Sequence, residues 1–175
     1  MIRYHDREWG TPVHRDRKMF EFLILESFQA GLSWRTVLHK RHNFKQAFAD
    51  FDYHRVARFT SRDVRRLMND TGIIRNRQKI AAAINNAQRF IEIQRQYKSF
   101  SRYIWSFVKN RPVKNSWKHS RDIPAVTPLA STIAADMKQR GFKFLGPTVI
   151  YAHLQAVGIV QDHLATCFRH PSAKV

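Results

Sequence analysis

The chain has 175 residues, of which 43% are hydrophobic and 13% aromatic, a composition that can bury one sizeable core and indicates a globular protein. Lys and Arg number 31 against 13 Asp and Glu, a formal net charge of +18, which favours a polyanionic partner, nucleic acid first and a membrane surface second. No apolar run approaches the roughly 20 residues that cross a bilayer, and the N-terminus lacks the apolar core of a signal peptide. We therefore expect a cytoplasmic protein without a membrane partner. Its single cysteine, Cys167, excludes an internal disulfide.

Helical periodicity dominates the sequence, and no series of alternating apolar and polar residues indicates strands. We therefore predict an all-α fold, with residues 1–175 forming a single helical domain. The first predicted helix follows Asp16 and breaks at Gly31. Ser33 caps a second helix, whose apolar positions extend to Phe48.

The middle of the chain continues this helical pattern. Thr60 with Asp63 resembles a capping box and opens a helix that stops at Gly72. A longer helix is predicted over residues 77–94, and the aromatic-rich stretch 100–108 is also predicted to be helical.

Residues 110–127 contain prolines and several polar residues, a composition that predicts a loop. If the domain consists of two lobes, we expect this loop to separate them. Thr127 caps the helix that follows, and Gly141 ends it. Gly146 begins the next helix, which ends at Gly158.

Glu26 falls on the apolar stripe of the first predicted helix, where a carboxylate needs a partner. It either pairs with one of the many arginines, caps a neighbouring helix, or serves a function. The run from Leu25 to Trp34 places an aromatic side chain just past a tight turn after the acid. Carboxylate and indole can therefore line one pocket.

Three other clusters carry candidate chemistry. Tyr4 and Trp9 offer aromatic faces with polar handles, suited to an extruded nucleobase, although buried aromatics are more often plain core. His163 and Cys167 have the H-x3-C spacing that places two zinc ligands on one face of a helix, unless they are a surface histidine near a buried thiol. The segment 140–148 is a helix, a glycine-bounded hairpin and a second helix, which either binds a phosphate or simply connects two helices.

Six ordered segments resemble the DNA-3-methyladenine glycosylase I family, a branch of the helix-hairpin-helix glycosylase superfamily. The resemblance covers nearly the whole chain, and its segments are Tyr4–Gly10, Leu25–Trp34, Thr71–Ile80, Trp105–Phe107, Arg140–Phe144, and Asp162–His163 with Cys167. It implies a helix-hairpin-helix bundle and a monomeric enzyme that hydrolyses the N-glycosidic bond of 3-methyladenine in double-stranded DNA, leaving an abasic site. No lysine is evident as a nucleophile, so we expect no strand-cleaving step.

The resemblance also implies roles for single residues at the base. Glu26 matches the pocket glutamate of the family, which we take as the catalytic residue that selects the base. Tyr4 matches a tyrosine that contacts the base, and Trp34 the aromatic residue that stacks on it. We expect Trp9 to build the same wall.

Outside the pocket, the resemblance implies a metal and a DNA contact. His5, His163 and Cys167 match three of the four ligands of a structural Zn²⁺, which would tie the N-terminal segment to the last helix. Of the hairpin, we expect Lys143, Gly141 and Gly146 to contact a DNA phosphate.

Two departures from the pattern qualify the expected activity. Family members begin earlier, with a Cys-x-Trp segment that supplies the fourth zinc ligand and a pocket tryptophan, and the chain begins at Met1 without it. The alternative function is therefore a catalytically impaired module that binds DNA lesions, and a basic helical protein that binds RNA or membrane is a third. The superfamily also places a catalytic aspartate where this chain has Gln161, but the 3-methyladenine branch lacks that aspartate as well.

Overall fold

The protein was analysed as a computed structural model, which describes residues 1–173. Its helices are α1 (Ile2–Arg7), α2 (Asp16–Gln29), α3 (Trp34–Ala47), α4 (Tyr53–Val56), α5 (Ser61–Asn69), α6 (Arg77–Tyr97), α7 (Phe100–Ser106), α8 (Pro128–Gln139) and α9 (Pro147–Ala156). Short 3-10 turns lie at Ala49–Phe51 and Ser120–Asp122. Two strands of two residues each, β1 (Val113–Lys114) and β2 (Val160–Gln161), pair in parallel. The predicted all-α class is confirmed, apart from this small sheet. No helix in the described part of the chain is long and apolar enough to cross a membrane.

Local capping chemistry begins the helices where the sequence predicted. The Ser33 hydroxyl accepts a hydrogen bond from the backbone N–H of Thr36 at 3.2 Å. Thr60 and Asp63 form the predicted capping box, with the Asp63 carboxylate accepting from the Thr60 N–H at 2.9 Å. The Thr127 hydroxyl likewise accepts from the first turn of α8. These side chains satisfy N–H groups that have no partner inside the helix.

Several short elements differ from the prediction. α1 spans six residues and buries only Tyr4, so its sequence contains no full apolar period from which a helix could be predicted. α4 is a single turn started by the Asp52 side chain. The predicted loop 110–127 contains β1 and a 3-10 turn. β1 forms by pairing with β2, which is distant in the sequence. A strand of two residues is too short for an alternation of apolar and polar residues to predict it.

Helix α2 lies at the centre of the fold and contacts α3, α6, α7 and α9. Nine of its 14 residues are buried, Glu26 among them. A helix that is apolar on nearly every side belongs in a core. Glu26 is therefore enclosed more completely than a single apolar stripe would require.

Candidate active site

Glu26 lies in the protein interior without a charge partner. Its side chain is only 4% exposed, and among residues 1–173 no basic group pairs with it and none donates it a hydrogen bond. Burial raises the pKa of Glu26 to about 8, because a carboxylate loses its hydration there. The arginine pair and the helix cap considered from the sequence are both absent from the described residues.

Tyr4 and Trp34 come together from different helices. The ring centroids of Tyr4 and Trp34 lie 5.3 Å apart with an interplanar angle of 50°. Burial, and then the nearby charge of Glu26, raise the pKa of Tyr4, so its hydroxyl stays protonated and lies within electrostatic range of the carboxylate. The Trp34 Nε1 is buried without a hydrogen-bond partner among the described residues. A buried donor of this kind is uncommon and calls for a ligand or a structural explanation.

Trp9 packs beside His5 and His163, and its predicted role in the wall of Tyr4 and Trp34 stays a prediction. Its ring centroid is 4.6 Å from that of His163 and 6.1 Å from that of His5. The side chain consequently points to the histidine cluster.

His5, His163 and Cys167 form a compact group of metal-binding atoms. The Cys167 Sγ lies 3.6 Å from His5 Nε2 and 3.6 Å from His163 Nδ1, and the three ligand atoms all lie within 4.8 Å of one another. Tetrahedral zinc with bonds of roughly 2.0–2.3 Å separates its sulfur and nitrogen ligands by about 3.6 Å. The donor set and its spacing therefore fit Zn²⁺.

The remaining ring nitrogens of the two histidines are held by other groups. His5 Nδ1 lies 2.8 Å from an Asp6 carboxylate oxygen, and His163 Nε2 lies 3.2 Å from the Trp9 carbonyl oxygen. Such contacts orient histidine ligands and fix their tautomer. A side chain at Gly10 would lie 2.8 Å from His163 Nε2, so only glycine allows this close approach.

The last helix does not carry His163 and Cys167, contrary to the sequence prediction. α9 ends at Ala156, and both residues follow β2 in irregular turns. Gly158 has a φ of +70° and reverses the chain direction after α9. A side chain at this position would collide with the Thr11 backbone. A turn closed by the Cys167 N–H and the Leu164 carbonyl then brings the thiol to the histidines.

Asp162, which the sequence analysis treated only as part of a motif, anchors this segment. It is 1% exposed, and its carboxylate accepts hydrogen bonds from four side chains, those of Asn115, Trp117, Tyr151 and Gln155. A buried carboxylate with this many donors is fully satisfied. No local pattern could identify it, since two of its donors lie in the predicted loop.

The glycine-bounded turn between α8 and α9 is held in place from α6. The Asn86 side chain donates to the Lys143 carbonyl and accepts from the Lys143 N–H, both at 2.8 Å. Gly141 has a φ of +84°, and Gly146 precedes α9 with no side-chain cap. The positive end of the α9 dipole and the exposed Lys143 side chain therefore face outward together.

A buried carboxylate within electrostatic range of Tyr4, the Trp34 ring packed on Tyr4, and a glycine-bounded turn between helices in a basic, mostly helical fold together fit a helix-hairpin-helix DNA glycosylase, which extrudes a base and reads it with polar and aromatic side chains. The model of the methyladenine glycosylase family matches residues 1–170. The DNA-3-methyladenine glycosylase of Haemophilus influenzae is 41% identical, over 95% of this chain and 90% of its own length. DNA-3-methyladenine glycosylase 1 of Escherichia coli K12 is 42% identical, over 99% of this chain and 92% of its own.

A solved structure agrees with these relatives. It is a tyrosine-to-phenylalanine variant of a 3-methyladenine DNA glycosylase I in complex with 3-methyladenine, and it shares 38% sequence identity with a TM-score of 0.93 over 99% of this chain and 92% of that one. The chain belongs to the methyladenine glycosylase family.

Proposed function

We propose that this protein is a monofunctional DNA glycosylase that excises 3-methyladenine from alkylated double-stranded DNA. It hydrolyses the N-glycosidic bond and leaves free base and an abasic site. The proposal includes a monomer acting in the cytoplasm. The observation that carries it is the buried Glu26, without a partner among the described residues and within electrostatic range of Tyr4, whose ring packs on Trp34, in a chain whose relatives bear the name of this activity.

The charge of the lesion explains why a buried carboxylate without a partner is useful. N3 methylation gives the adenine in DNA a positive charge, whereas normal adenine is neutral. With a pKa of about 8, Glu26 is mostly protonated at neutral pH in the protein alone. An entering cationic base supplies the opposite charge that favours the carboxylate. Neutral adenine supplies none, so Glu26 discriminates between the two bases.

Excision requires little further assistance, because the positive charge already makes 3-methyladenine a good leaving group. Trp34 stacks on the cationic ring, and the protonated Tyr4 hydroxyl is available as a hydrogen-bond donor or acceptor. As the bond breaks, the electron pair passes to the base. Water then adds to the anomeric carbon of the oxocarbenium-like sugar and loses a proton. Binding of the extruded base thus supplies much of the catalysis.

The turn between α8 and α9 is our proposed contact with the DNA backbone. The uncapped first turn of α9 favours an anion, and Lys143 adds a positive charge at the same place. Gly141 and Gly146 bound this turn, and Asn86 fixes its backbone. A phosphate held here fixes the register of the duplex and carries no sequence information.

We also propose that His5, His163 and Cys167 hold a structural Zn²⁺. When bound, the ion would cross-link the thiolate and the two imidazoles. Burial lowers the pKa of His163, more than the hydrogen bond to the Trp9 carbonyl raises it, so the imidazole is neutral as a ligand must be. The three residues would join α1 to the segment after β2.

Release of free base tests the enzymatic proposal. Purified protein is incubated with a duplex treated with a methylating agent, and 3-methyladenine is measured by chromatography. We expect Glu26→Gln to lower kcat/KM by about 100-fold or more, the magnitude that removal of one preorganised polar group from an active site typically has. Glu92→Gln is the matched control, since this exposed acid on α6 undergoes the same change, and it should retain wild-type activity.

The outcomes of this assay separate the alternatives. Wild-type protein that prefers methylated duplex in filter binding but releases no base would be a lesion-binding module. Equal binding of methylated and plain duplexes, without release, would instead indicate a general basic binder. Strand cleavage without alkali treatment would contradict a monofunctional enzyme. A Glu26→Gln variant as active as wild type would remove only the role of Glu26.

Metal analysis tests the zinc proposal independently of activity. We expect about one equivalent of zinc per wild-type chain and none in His5→Ala. His39→Ala, which removes an exposed histidine from α3, is the matched control and should retain the metal. A wild-type protein purified in zinc-containing medium without bound metal would refute the proposal.

A further inference from the structure

Four charged side chains that pair with one another line part of the cavity next to Tyr4. The cavity has a volume of about 570 Å³, and its lining includes Glu8, Lys18, Glu21 and Arg41. Arg41 donates to both carboxylate oxygens of Glu8, at 2.9 and 2.7 Å, and from its Nε to Glu21 at 2.7 Å. Lys18 lies 3.1 Å from Glu8 and 2.9 Å from Glu21. These side chains, here called the Arg41 network, form a closed ring of ion pairs.

The Arg41 network joins the three helices that carry the proposed base-binding residues. Glu8 follows α1, which carries Tyr4. Lys18 and Glu21 lie on α2 with Glu26, and Arg41 lies on α3 with Trp34. Every helix of the proposed pocket is therefore connected through the Arg41 guanidinium.

α1 depends on such external contacts. A six-residue helix is not stable alone. Glu8 caps the C-terminus of α1, and its N–H donates to the Tyr4 carbonyl at 2.9 Å. Holding the Glu8 carboxylate therefore also restrains Tyr4.

The ion pairs persist at working pH. Burial by itself would raise the pKa of Glu8, but its hydrogen bonds and charge interactions with Arg41 and Lys18 lower it to about 2. The Arg41 and Glu8 side chains are only 19% and 32% exposed, which limits screening by water. The guanidinium also lies 5.4 Å from the Phe22 ring centroid, and that ring packs against Tyr4.

We infer that Arg41 is a positioning residue for base recognition, which holds Tyr4 against Glu26 and Trp34 by fixing α1 through Glu8. The inference rests on the proposed function. Arginine is required because its planar fork binds both oxygens of Glu8 and still reaches Glu21, which a lysine ammonium cannot do with the same geometry.

Two measurements on Arg41→Gln test the inference. Hydrogen–deuterium exchange of residues 1–10 reports on α1, and tryptophan fluorescence titrated with free 3-methyladenine reports on the pocket without any DNA phosphate. We expect faster exchange in residues 1–10 and about tenfold weaker binding of the base. Affinity for undamaged duplex should stay within about twofold of wild type, because Arg41 is engaged with carboxylates.

Companion variants separate positioning from folding. Arg41→Lys should recover part of the base affinity, and Glu8→Gln should reproduce the loss without removing a positive charge. The double variant Arg41→Gln/Glu8→Gln should be no worse than the poorer single variant, as expected for one shared interaction. Arg66→Gln removes the same charge from α5, where the partner is Asp63, and should change neither exchange in residues 1–10 nor base affinity.

The possible failures are distinguishable. Wild-type base affinity in Arg41→Gln, with or without faster exchange, overturns the inference. Unchanged exchange in residues 1–10 overturns it as well, because α1 would then not depend on Arg41. If wild-type protein neither binds nor releases 3-methyladenine, the proposed function has failed, and that result is obtained before any Arg41 variant is measured.

Discussion

Two carboxylates are buried to nearly the same extent in this protein, and their surroundings are opposite. Asp162 accepts hydrogen bonds from four side chains. Glu26 accepts none from the described residues, and its pKa is raised to about 8 by burial. Desolvation costs both groups free energy, but only Asp162 recovers that cost within the folded chain. The comparison suggests that Asp162 stabilises the fold, whereas Glu26 is held ready for a partner that arrives with the substrate.

The largest effect should come from removing the satisfied carboxylate. Asp162→Ala leaves four donors without their acceptor, that of Tyr151 buried and those of Asn115, Trp117 and Gln155 partly buried. We expect the free energy of unfolding to fall by about 4 kcal/mol, since hydrogen bonds to a charged group contribute roughly 1.5–3 kcal/mol each and are not additive. Urea denaturation measures the loss. Asp50→Ala, at an exposed position, is the control. A loss below about 1 kcal/mol would contradict a structural role for Asp162.

Removing the unsatisfied carboxylate should have the opposite sign. The pKa of Glu26 is raised from 4.5 to about 8 in the folded state. Its contribution to stability is therefore most favourable below pH 4.5 and declines as pH rises towards 8, because the unfolded chain releases the proton first. We expect the Glu26→Gln variant to have a free energy of unfolding about 3 kcal/mol higher than wild type at pH 7, and no such gain at pH 4.

Thermal unfolding of wild type and Glu26→Gln across this pH range measures the difference. Glu92→Gln, again the matched control, changes an exposed acid and should show no comparable dependence on pH. A gain that does not vary with pH would mean that Glu26 has the same pKa in the folded and unfolded chains. If Glu26→Gln gains stability and also loses excision activity, Glu26 lowers the stability of the fold but is required for base recognition.

The same contrast explains what the sequence could and could not predict. Ser33 and Thr60 begin helices through bonds to residues three positions away, so local chemistry was sufficient. Glu26 was recognisable as an acid on an apolar stripe. Asp162 was not, because its partners Asn115 and Trp117 lie 47 and 45 residues away.

Contacts distant in sequence also account for the errors. α1 is fixed by side chains of α2 and α3 through Glu8, and no helical period within its six residues reveals it. The contact between the Trp9 ring and His163 also joins residues far apart in the sequence, so local spacing does not reveal it. The H-x3-C spacing suggested a helix, whereas a turn after β2 brings Cys167 to the same place. Spacing predicted the metal-binding group but not the backbone that carries it.

His153 provides the smallest effect and tests whether a missing partner is enough to mark a functional group. It is fully buried on α9, and both ring nitrogens lack partners among the described residues. Burial lowers the pKa of His153 to about 3, so the ring stays neutral in the folded protein. Unlike Glu26, His153 has no group of the proposed substrate with which it would interact.

We expect His153→Phe to raise the free energy of unfolding by about 1 kcal/mol at pH 7.5, because two unsatisfied polar atoms leave the core. As pH falls from 6.5 towards 3, the unfolded wild-type chain takes up a proton that the folded chain does not, so wild type loses stability by about 1.4 kcal/mol per pH unit relative to the variant. Denaturation at pH 7.5 measures the gain in the free energy of unfolding, and denaturation at pH 5.5 measures its change with pH. His119→Phe, at an exposed position, is the control. Excision activity should be unchanged. A loss of activity in His153→Phe with the fold intact would mean that this histidine, like Glu26, is kept unpaired for function.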